Sequence, residues 1–443
     1  MIDQLDWERT HYSNEITPEL DNKEVIIMGW VRAIRDLKKI IFIKLADREG
    51  FVQITIKPEQ VNENLLNKIK SLKREYVIAI KGVVKKNKEA PNGFEIYPND
   101  IRILNISKRI PMEIETKKTP ALLDTRLNER IIDLRRPEIK AIFKIQAELV
   151  NGMEKWLMEN GFLRVFTPCL KGAISESGAE TFKVPYFNKM AYLREDPQLH
   201  RQLLIGSGLD KIFDTGPSWR AEKSRTIRHL CEHRGCAVEI GFIRNEYDIM
   251  KIEENVLVAG LKAVQENCKK ELKIINKEMI FIPKLPLPVL EFPKIYDILH
   301  ELGSKIKEGE DLSREDELKL SNYVEEKHNS HYFFINKFPY RHKPFYVYTD
   351  GKYARSTDLE AKGGIELSSG GQREHRYDIL IKQIKEKGLS LKNLEWFTKF
   401  FKYGFPSHGG FNIGIERLTM VMLDLPNIRE AVLFPRDPDR LLP

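Results

Sequence analysis

Residues 409–417 read GGFNIGIER, and the apolar residues that follow them have helical spacing: Leu418, Val421, Met422 and Leu425. The pattern predicts a glycine-rich strand that runs directly into a helix, with Arg417 beside the helix start. A helix N-terminus favours anions, because its unpaired N–H groups and its dipole are positive there. An arginine at this place is either a phosphate ligand or half of a surface ion pair. The segment alone leaves both readings open.

Two further segments place charged residues where a packed core would prefer apolar ones. Residues 219–222 read WRAE and lead through a basic loop, with Arg225, Arg228 and His229, to a strand-like stretch at 235–242. Residues 364–373 read GIELSSGGQR, in which an acid, hydroxyls and an arginine are framed by glycines. A strand, a charged loop and a return strand are able to present several cations to phosphates.

The first hundred residues have the pattern of a small β-barrel. Five segments have the residue pattern of strands: 25–34, 40–46, 52–56, 76–84 and 94–103. A helical segment at 58–72 follows the third of them. Five strands with one helix after the third are the plan of an OB-type barrel, a fold that often holds single-stranded nucleic acid. A barrel without any ligand fits the pattern equally well.

A change of composition marks the domain boundary. Residues 107–136 are polar, contain prolines and lack periodicity, so we expect a linker there, ordered or not. From Pro137 to Gly161 the apolar spacing predicts a long helix. We therefore expect a barrel domain at 1–106, the linker at 107–136 and a second domain at 137–443. No P-loop or Rossmann glycine motif occurs, which excludes nucleotide sites of those two kinds.

Composition restricts the class of protein. The chain has 443 residues, 42% hydrophobic, and its 73 Lys and Arg against 65 Asp and Glu give a formal net charge of +8. That excess fits a polyanionic partner, but a basic enzyme that touches no nucleic acid has the same balance. The first residues lack the pattern of an export signal, and no apolar run is long enough to span a membrane. We expect a cytoplasmic protein without a membrane partner.

The cysteines do not have the paired spacing of a zinc or redox site, and we expect reduced thiols. Two of them share a short segment with two histidines, so a tetrahedral metal site remains an alternative there. That segment contains His229, Cys231, His233 and Cys236.

Taken together, the segments resemble class II aminoacyl-tRNA synthetases. Thr167-Pro168 after the long helix, residues 219–222 with Arg228, and residues 414–417 look like motifs 1, 2 and 3 of that class. Within the class the chain is similar to the archaeal and eukaryotic type of aspartyl-tRNA synthetase. The runs that carry this similarity are RTHY at 9–12, GWV at 29–31, DLRRP at 133–137, SGGQR at 369–373 and LFPR at 433–436.

The resemblance covers nearly the whole chain and implies its fold and activity. The implied fold is α+β, an N-terminal five-stranded OB-type barrel joined to a catalytic domain built on an antiparallel sheet flanked by helices. The implied enzyme activates L-aspartate with ATP and Mg²⁺ and transfers it to the 3′ end of tRNA(Asp); whether tRNA(Asn) is also charged stays open. The barrel would bind the anticodon and the catalytic domain the acceptor end. A homodimer follows from motif 1.

The resemblance also assigns roles to individual residues. It implies catalytic roles for Arg220, Glu222 and Arg417. It implies amino-acid binding by Glu176, Asp196, Gln198, Arg201, Arg220, Ser369 and Arg373. It implies ATP binding by Arg220, Ala221, Glu222, Arg228, His229, Leu230, His233, Glu366, Gly414, Ile415, Glu416 and Arg417, and Mg²⁺ binding by Glu366 and Ser369. An all-oxygen pair suits a hard cation that keeps most of its waters.

Several positions depart from the family pattern near the expected amino acid. The family usually has serine and lysine where this chain has Asp196 and Arg201, and an aspartate of motif 2 where it has Ala237. We hypothesise that the carboxylate gained at Asp196 compensates for the one lost at Ala237. His233 stands where a phenylalanine often stacks on adenine, and Asn412 replaces a motif 3 glycine.

These departures keep two alternatives open. One is a paralogue that makes an aminoacyl adenylate from a changed substrate or passes it to another acceptor, as asparagine synthetases related to this family do. The complete barrel argues against it. The other is a non-catalytic tRNA-binding protein, against which the retained Arg220, Glu366, Ser369 and Arg417 argue.

Overall fold

The computed structural model describes residues 2–114, 121–172, 181–221, 223 and 226–442. The chain folds into two compact units, Met1–Pro137 and Glu138–Pro443. Within the described residues, no helix combines the length and the apolar character that a membrane crossing requires.

The first unit is built around a closed five-stranded barrel with the strand order β1-β2-β3-β5-β4. Its elements are β1 (Glu24–Asp36), β2 (Ile41–Ala46), β3 (Phe51–Ile56), α1 (Glu63–Ser71), β4 (Val77–Lys86) and β5 (Phe94–Asn105). The predicted barrel with one helix after the third strand is therefore confirmed. Helix α1 begins later than the apolar pattern predicts because the Asn62 side chain accepts a hydrogen bond from the backbone of Leu65 and caps the helix there.

The barrel interior is filled by β-branched residues that alternate along the strands. Ile43, Ile54 and Ile80 are each 0% exposed. The first unit also contains a buried ion pair. The side chains of Arg32 and Glu75, which contact each other, are 3% and 1% exposed. Glu75 also accepts a 2.7 Å hydrogen bond from Arg135.

Residues 121–136, in the segment that the sequence marks as a linker, form helical structure. This stretch contains two short helices, α2 (Leu123–Asn128) and α3 (Arg130–Asp133). Asp133 is 0% exposed, and its carboxylate pairs with the guanidinium groups of Arg126, Arg130 and Arg136. Three cations around one buried anion give this polar stretch a specific structure without an apolar core.

The second unit is centred on an eight-stranded sheet with the order β12-β13-β16-β17-β18-β11-β10-β6. The strands of this sheet are β6 (Leu163–Arg164), β10 (Lys211–Trp219), β11 (Glu232–Gly241), β12 (Val289–Glu291), β13 (Tyr332–Asn336), β16 (Ser356–Ala361), β17 (Ile365–Arg373) and β18 (His408–Gly414). A separate three-stranded sheet contains β7 (Leu170–Lys171), β8 (Lys183–Tyr186) and β9 (Lys189–Leu193), and a two-stranded sheet contains β14 (Thr349–Asp350) and β15 (Tyr353–Ala354). The central pairings, from β13 to β10, are all antiparallel. The predicted antiparallel sheet is confirmed.

Helices flank this sheet. They are α4 (Pro137–Glu159), α5 (Gln198–Gly206), α6 (Glu246–Asn267), α7 (Lys269–Ile274), α8 (Lys294–Glu301), α9 (Arg314–His328), α10 (Tyr377–Glu386), α11 (Leu391–Thr398) and α12 (Ile415–Met422). The long helix predicted from Pro137 is confirmed as α4, and Gly161 follows it with φ +81°. Strand β18 continues directly into α12, as predicted. Leu425 lies beyond the end of α12, because Asp424 adopts a left-handed backbone with φ 53°.

Candidate active site

Four neighbouring strands place one residue each in a row across the sheet. The register pairs Ala237 of β11 with Asn412 of β18, Asn412 with Ser369 of β17, and Ser369 with Asp358 of β16. Directly opposed residues in antiparallel strands project to the same face, so these four lie side by side. Asn412 and Ser369 line an open cavity of about 250 Å³. Asn412 and Ser369, at the middle of this row, form part of the floor of the candidate active site.

One wall of the cavity is an arginine held in a buried network. Arg373 of β17 donates through Nε to Glu239 Oε1 at 3.1 Å and through NH2 to Gln198 Oε1 at 3.0 Å. Gln198 Nε2 in turn donates to Glu239 Oε2 at 2.9 Å. Gly410 lies opposite Glu239, and a Cβ there would lie 2.4 Å from Glu239 Oε2. The network fixes the Arg373 guanidinium at the cavity, where Tyr346 also lies beneath it at 5.6 Å.

Asp196 and Arg201 extend this network at the start of α5. Arg201 is 1% exposed, and its NH2 donates to Asp196 Oδ2 at 2.7 Å and to Gln198 Oε1 at 3.1 Å. Burial raises the pKa of the Asp196 carboxyl, but the charges of Arg201, Arg373 and Arg194 outweigh burial and hold the pKa below its ordinary value. Asp196 is therefore ionised at neutral pH. It lines the cavity, whereas Arg201 lies behind it.

Cations cluster where β10 ends and α12 begins. Arg220 follows β10 directly, and its side chain forms no ion pair with any described residue. Arg228 NH1 is 3.4 Å from Glu317 Oε2, and Arg417 NH1 donates to the Glu366 carbonyl at 2.8 Å. All three arginines line the cavity. This part of the site offers fixed positive charge to a polyanion, as an ATP-binding surface requires.

His229 and His233 lie among these cations in different environments. His229 Nδ1 is 2.6 Å from Thr226 Oγ1. Burial lowers the pKa of His233 to about 3, and the charges of Arg220 and Arg417 contribute in the same direction. The ring of His233 is therefore uncharged at physiological pH. A flat, uncharged ring in the cavity wall is suited to stacking on an aromatic base.

Carboxylates collect beside the cations. Glu366 lies 3.6 Å from Arg417, and Ser369 Oγ donates to Asp358 Oδ1 at 2.6 Å. Burial and the neighbouring charge of Glu366 raise the pKa of both Asp358 and Glu360, although Lys343 Nζ, 2.7 Å from Asp358 Oδ2, opposes the shift at Asp358. Asp358 and Glu360 are therefore buried acids close to the negative charge of Glu366.

The structure brings together most of the residues that the resemblance singles out. Lining the cavity are Asp196, Gln198, Arg220, Arg228, His229, Leu230, His233, Glu366, Ser369, Arg373, Gly414, Glu416 and Arg417. Arg201, Ala221 and Ile415 are not part of its lining. Glu176 and Glu222 lie outside the described residues.

Sequence reasoning missed several residues of the site. Lys343 and Tyr346 line the cavity from a loop that no motif covers. Glu239, which holds Gln198 and Arg373, is 0% exposed and lies in the same strand as Ala237. The only signal for Glu239 is a charged residue among the apolar neighbours Val238 and Ile240. For Lys343 and Tyr346 the sequence offers none.

The alternative metal site around the two cysteines is not supported. The described residues, which include His229, Cys231, His233 and Cys236, contain no group of three or more His, Cys, Asp or Glu side chains that could hold a metal ion. Burial raises the pKa of the Cys236 thiol to about 12, so it is a protonated core residue.

Comparison with known proteins agrees with this geometry. Residues 123–438 match the family of class II tRNA synthetases (D, K and N), and residues 25–104 match the OB-fold nucleic acid binding domain. The aspartate–tRNA(Asp) ligase of Pyrococcus furiosus is 45% identical over 439 residues, covering 98% of this chain and 100% of the relative. The aspartate–tRNA(Asp/Asn) ligase of Methanocaldococcus jannaschii is 43% identical over 447 residues, covering 100% of both chains.

Solved structures show the same fold along the chain. Asparaginyl-tRNA synthetase from Pyrococcus horikoshii, complexed with asparaginyl-adenylate, superposes with a TM-score of 0.92 at 33% identity and covers 98% of this chain and 100% of its own. Aspartyl tRNA synthetase from Entamoeba histolytica gives a TM-score of 0.86 at 27% identity, covering 100% and 96%. The chain therefore belongs to the class II tRNA synthetases of the D, K and N family, and its N-terminal barrel is the OB-fold domain of these enzymes.

Proposed function

We propose that this synthetase activates L-aspartate with ATP to form aspartyl-adenylate and esterifies the aspartyl group to tRNA(Asp). The observation that carries the proposal is the buried network of Arg373, Gln198 and Glu239, which holds a guanidinium at the wall of the cavity that Arg220, Arg228 and Arg417 also line. A guanidinium in this position matches a side-chain carboxylate of the substrate. The full-length similarity to aspartate ligases supports the same substrate.

In the proposed reaction the α-carboxylate of aspartate attacks the α-phosphorus of ATP, a P–O bond forms and pyrophosphate leaves. Two anions must approach each other, so fixed positive charge lowers the barrier. Arg220 would contact the α-phosphate and the attacking carboxylate, while Arg228, His229 and Arg417 would hold the outer phosphates. Glu222 and Glu176, assigned to the same site by resemblance, remain part of this proposal. The attack of the carboxylate on the α-phosphorus would thus proceed without a general base.

We further propose that Glu366 and Ser369 hold Mg²⁺ with the phosphates. Their donor set is carboxylate and hydroxyl oxygen, which a hard cation prefers. The adjacent Glu360 is 3% exposed, and its Oε2 has no hydrogen-bond partner among the described residues. A divalent cation near these acids would offset their mutual repulsion and neutralise phosphate charge.

The barrel is proposed as the anticodon-binding domain. Cationic side chains lie against aromatic rings in this unit: Arg9 lies 4.3 Å from the centre of the Tyr12 ring and Lys44 lies 4.2 Å from that of Phe51. Rings that stack on bases and cations that contact phosphates are the usual means of binding a single strand. We propose residues 1–106 as the anticodon-binding domain, residues 107–136 as the linker and residues 137–443 as the catalytic domain.

A homodimer is proposed from exposed apolar residues of the catalytic unit. Phe166 and Phe187 are 88% and 92% exposed, and Leu163 on β6 is 52% exposed. Exposed aromatic residues near β6 to β9, beside the segment that resembles motif 1, fit an interface with a second copy.

We also propose a cytoplasmic location, since the four cysteines are free thiols, three of them buried.

The test of this function is a charging assay with labelled aspartate and transcripts of tRNA(Asp) and tRNA(Asn). We expect esterification of tRNA(Asp). Charging of tRNA(Asn) as well would define the relaxed type, towards which Pro91, exposed in the turn before β5, weakly points. Adenylate formation without charging of either tRNA would favour the paralogue, and absence of both reactions would favour the non-catalytic alternative.

A further inference from the structure

Lys343 is a cation of the site that no sequence motif covers. Its side chain is 13% exposed and lines the cavity. Its Nζ donates to Asp358 Oδ2 at 2.7 Å and lies 3.6 Å from the centre of the Phe338 ring. Asp358 is not part of the cavity lining, so Lys343 is the member of this pair that a ligand reaches first.

The backbone that carries Lys343 is anchored to the sheet. The Lys343 N–H donates to the Tyr340 carbonyl at 3.0 Å, and the Tyr348 N–H donates to the Gln372 carbonyl of β17 at 2.9 Å. Between these contacts, Phe345 is 1% exposed and packs in the apolar cluster that α5, α10 and α11 share. Lys343 therefore projects from a fixed loop, and its ammonium group has a defined position in the cavity wall.

The two oxygens of Asp358 have different partners. Oδ2 accepts the hydrogen bond from Lys343, and Oδ1 accepts a 2.6 Å hydrogen bond from Ser369 Oγ. The Ser369 hydroxyl spends its one proton on this contact, so the lone pairs of its oxygen stay available at the cavity, which Ser369 lines. Asp358 thus orients a proposed metal ligand while both of its own oxygens are engaged.

The surrounding acids explain why Asp358 needs a cation. Asp358 is 6% exposed, and Glu360 on the same strand is 3% exposed. Glu366 lies directly opposite Glu360 in the register of β16 and β17. A buried carboxylate is stable when it pairs with a basic side chain or coordinates a metal ion. Lys343 supplies the first kind of partner to Asp358.

We propose that Lys343 is a built-in cation that takes the place of a divalent metal ion at Asp358 and so confines the metal site to Glu366 and Ser369. This inference rests on the proposed Mg²⁺ site and deepens it. A fixed ammonium group is present before ATP binds and does not depend on free Mg²⁺. It also repels a divalent cation from the Asp358 carboxylate, since like charges at close range raise the energy of both.

The first test measures Mn²⁺ binding to the full-length protein by the paramagnetic resonance signal of free Mn²⁺. Methionine is one atom shorter than lysine, so Lys343→Met removes the ammonium group and leaves its place open. We expect this variant to bind Mn²⁺ about tenfold more tightly than the wild type, because the repelling charge is gone and Asp358 Oδ2 is free. Lys343→Arg keeps the charge and should keep the wild-type affinity.

Two further variants separate charge from packing. Asp358→Asn leaves the ammonium group without its anion and should weaken Mn²⁺ binding about tenfold. Lys343→Met combined with Asp358→Asn removes both charges and should return the affinity to the wild-type value. Lys387→Met is the matched control. Lys387 also lies over a ring, 4.5 Å from the centre of Tyr340, but it donates to backbone carbonyls outside the cavity.

The second test is thermal unfolding without ATP, which does not depend on activity. Lys343→Met leaves Asp358 buried without a cation, so Tm should fall by about 5 °C, and added Mg²⁺ should restore most of the loss. The double variant with Asp358→Asn should show no such response to Mg²⁺. Loss of a merely structural lysine would lower Tm in the same way with and without Mg²⁺.

Other results would overturn the inference. Unchanged or weaker Mn²⁺ binding by Lys343→Met, or a Tm that Mg²⁺ does not restore, would make Lys343 a structural residue. Absence of Mn²⁺ binding by the wild type in the presence of ATP would contradict the proposed metal site at Glu366 and Ser369. The response of Lys343→Met to Mg²⁺ in thermal unfolding would then still decide the role of Lys343.

Discussion

The carboxylate of Asp196 accepts a 2.7 Å hydrogen bond from the guanidinium of Arg201, which is 1% exposed. The charge of Arg201 is therefore compensated within the protein before any substrate binds, just as Glu239 compensates Arg373. The resemblance assigns both Arg201 and Arg373 to amino-acid binding; Arg373 lines the cavity, whereas Arg201 acts through Asp196 and Gln198. Asp196 is thus the charged group through which Arg201 influences the site.

The first prediction concerns stability. Asp196→Asn leaves a buried guanidinium without its anion, and we expect the free energy of unfolding to fall by about 3 kcal/mol. Asp196→Asn combined with Arg201→Met removes both charges and should recover most of that loss. Urea denaturation of both variants at pH 7 measures the difference. A single variant as stable as the wild type would show that the pair contributes nothing.

The second prediction concerns activation. If Asp196 supplies the negative charge that Ala237 lacks, Asp196→Ser should lower kcat/KM for aspartate in pyrophosphate exchange at least 100-fold, with a smaller effect on KM for ATP. Asp210→Ser, in an exposed position before β10, is the control and should leave both unchanged. Unimpaired activation by Asp196→Ser would remove the compensation hypothesis.

Elements whose signals are local could be predicted from the sequence. The five barrel strands follow from alternating apolar residues such as Ile43 and Ile54, and the strand-to-helix junction before Arg417 follows from glycines and an apolar period. The site residues required the resemblance as well, since an isolated arginine or glutamate has no specific meaning.

Relationships that depend on strand register could not be predicted. The sequence presents Ala237 and Asn412 as separate departures, and only the pairing of β11 with β18 makes them neighbours. The contact of Lys343 with Asp358 likewise joins a loop to a central strand. Such contacts arise from long-range packing, on which residue types and local periodicity carry no information.

The third prediction concerns Arg220, whose side chain forms no ion pair with any described residue. Arg220→Ala removes fixed positive charge from the expected position of the α-phosphate, so kcat for pyrophosphate exchange should fall by about 100-fold to 1,000-fold. Arg220→Lys should restore only part of it, because an ammonium group lacks the forked geometry. Arg244→Ala is the control, since Arg244 is 85% exposed and pairs with Asp248 outside the cavity. Equal rates for Arg220→Ala and the wild type would contradict the assigned role.

The fourth prediction concerns acid stability. His408 is 0% exposed, and burial lowers its pKa from 6.5 to about 3, so the folded protein keeps this ring neutral while the unfolded chain protonates it below pH 6.5. Stability therefore falls as the pH drops below 6.5, and this group alone accounts for about 1.5 kcal/mol between pH 6.5 and pH 5.

The measurement is the difference in unfolding free energy between pH 7 and pH 5 for the wild type and His408→Gln. The variant should show a smaller decrease, whatever its absolute stability. His328→Gln, on the exposed end of α9, is the control and should keep the wild-type difference. The same pH dependence in all three proteins would mean that His408 does not contribute.

The central claim, that this class II synthetase is specific for aspartate, is tested most directly by amino-acid-dependent exchange of pyrophosphate into ATP with each of the twenty amino acids, without and then with tRNA. The account predicts exchange with L-aspartate alone, at a rate that Arg373→Ala abolishes. Exchange with asparagine or another amino acid in place of aspartate, or with none, would contradict the claim.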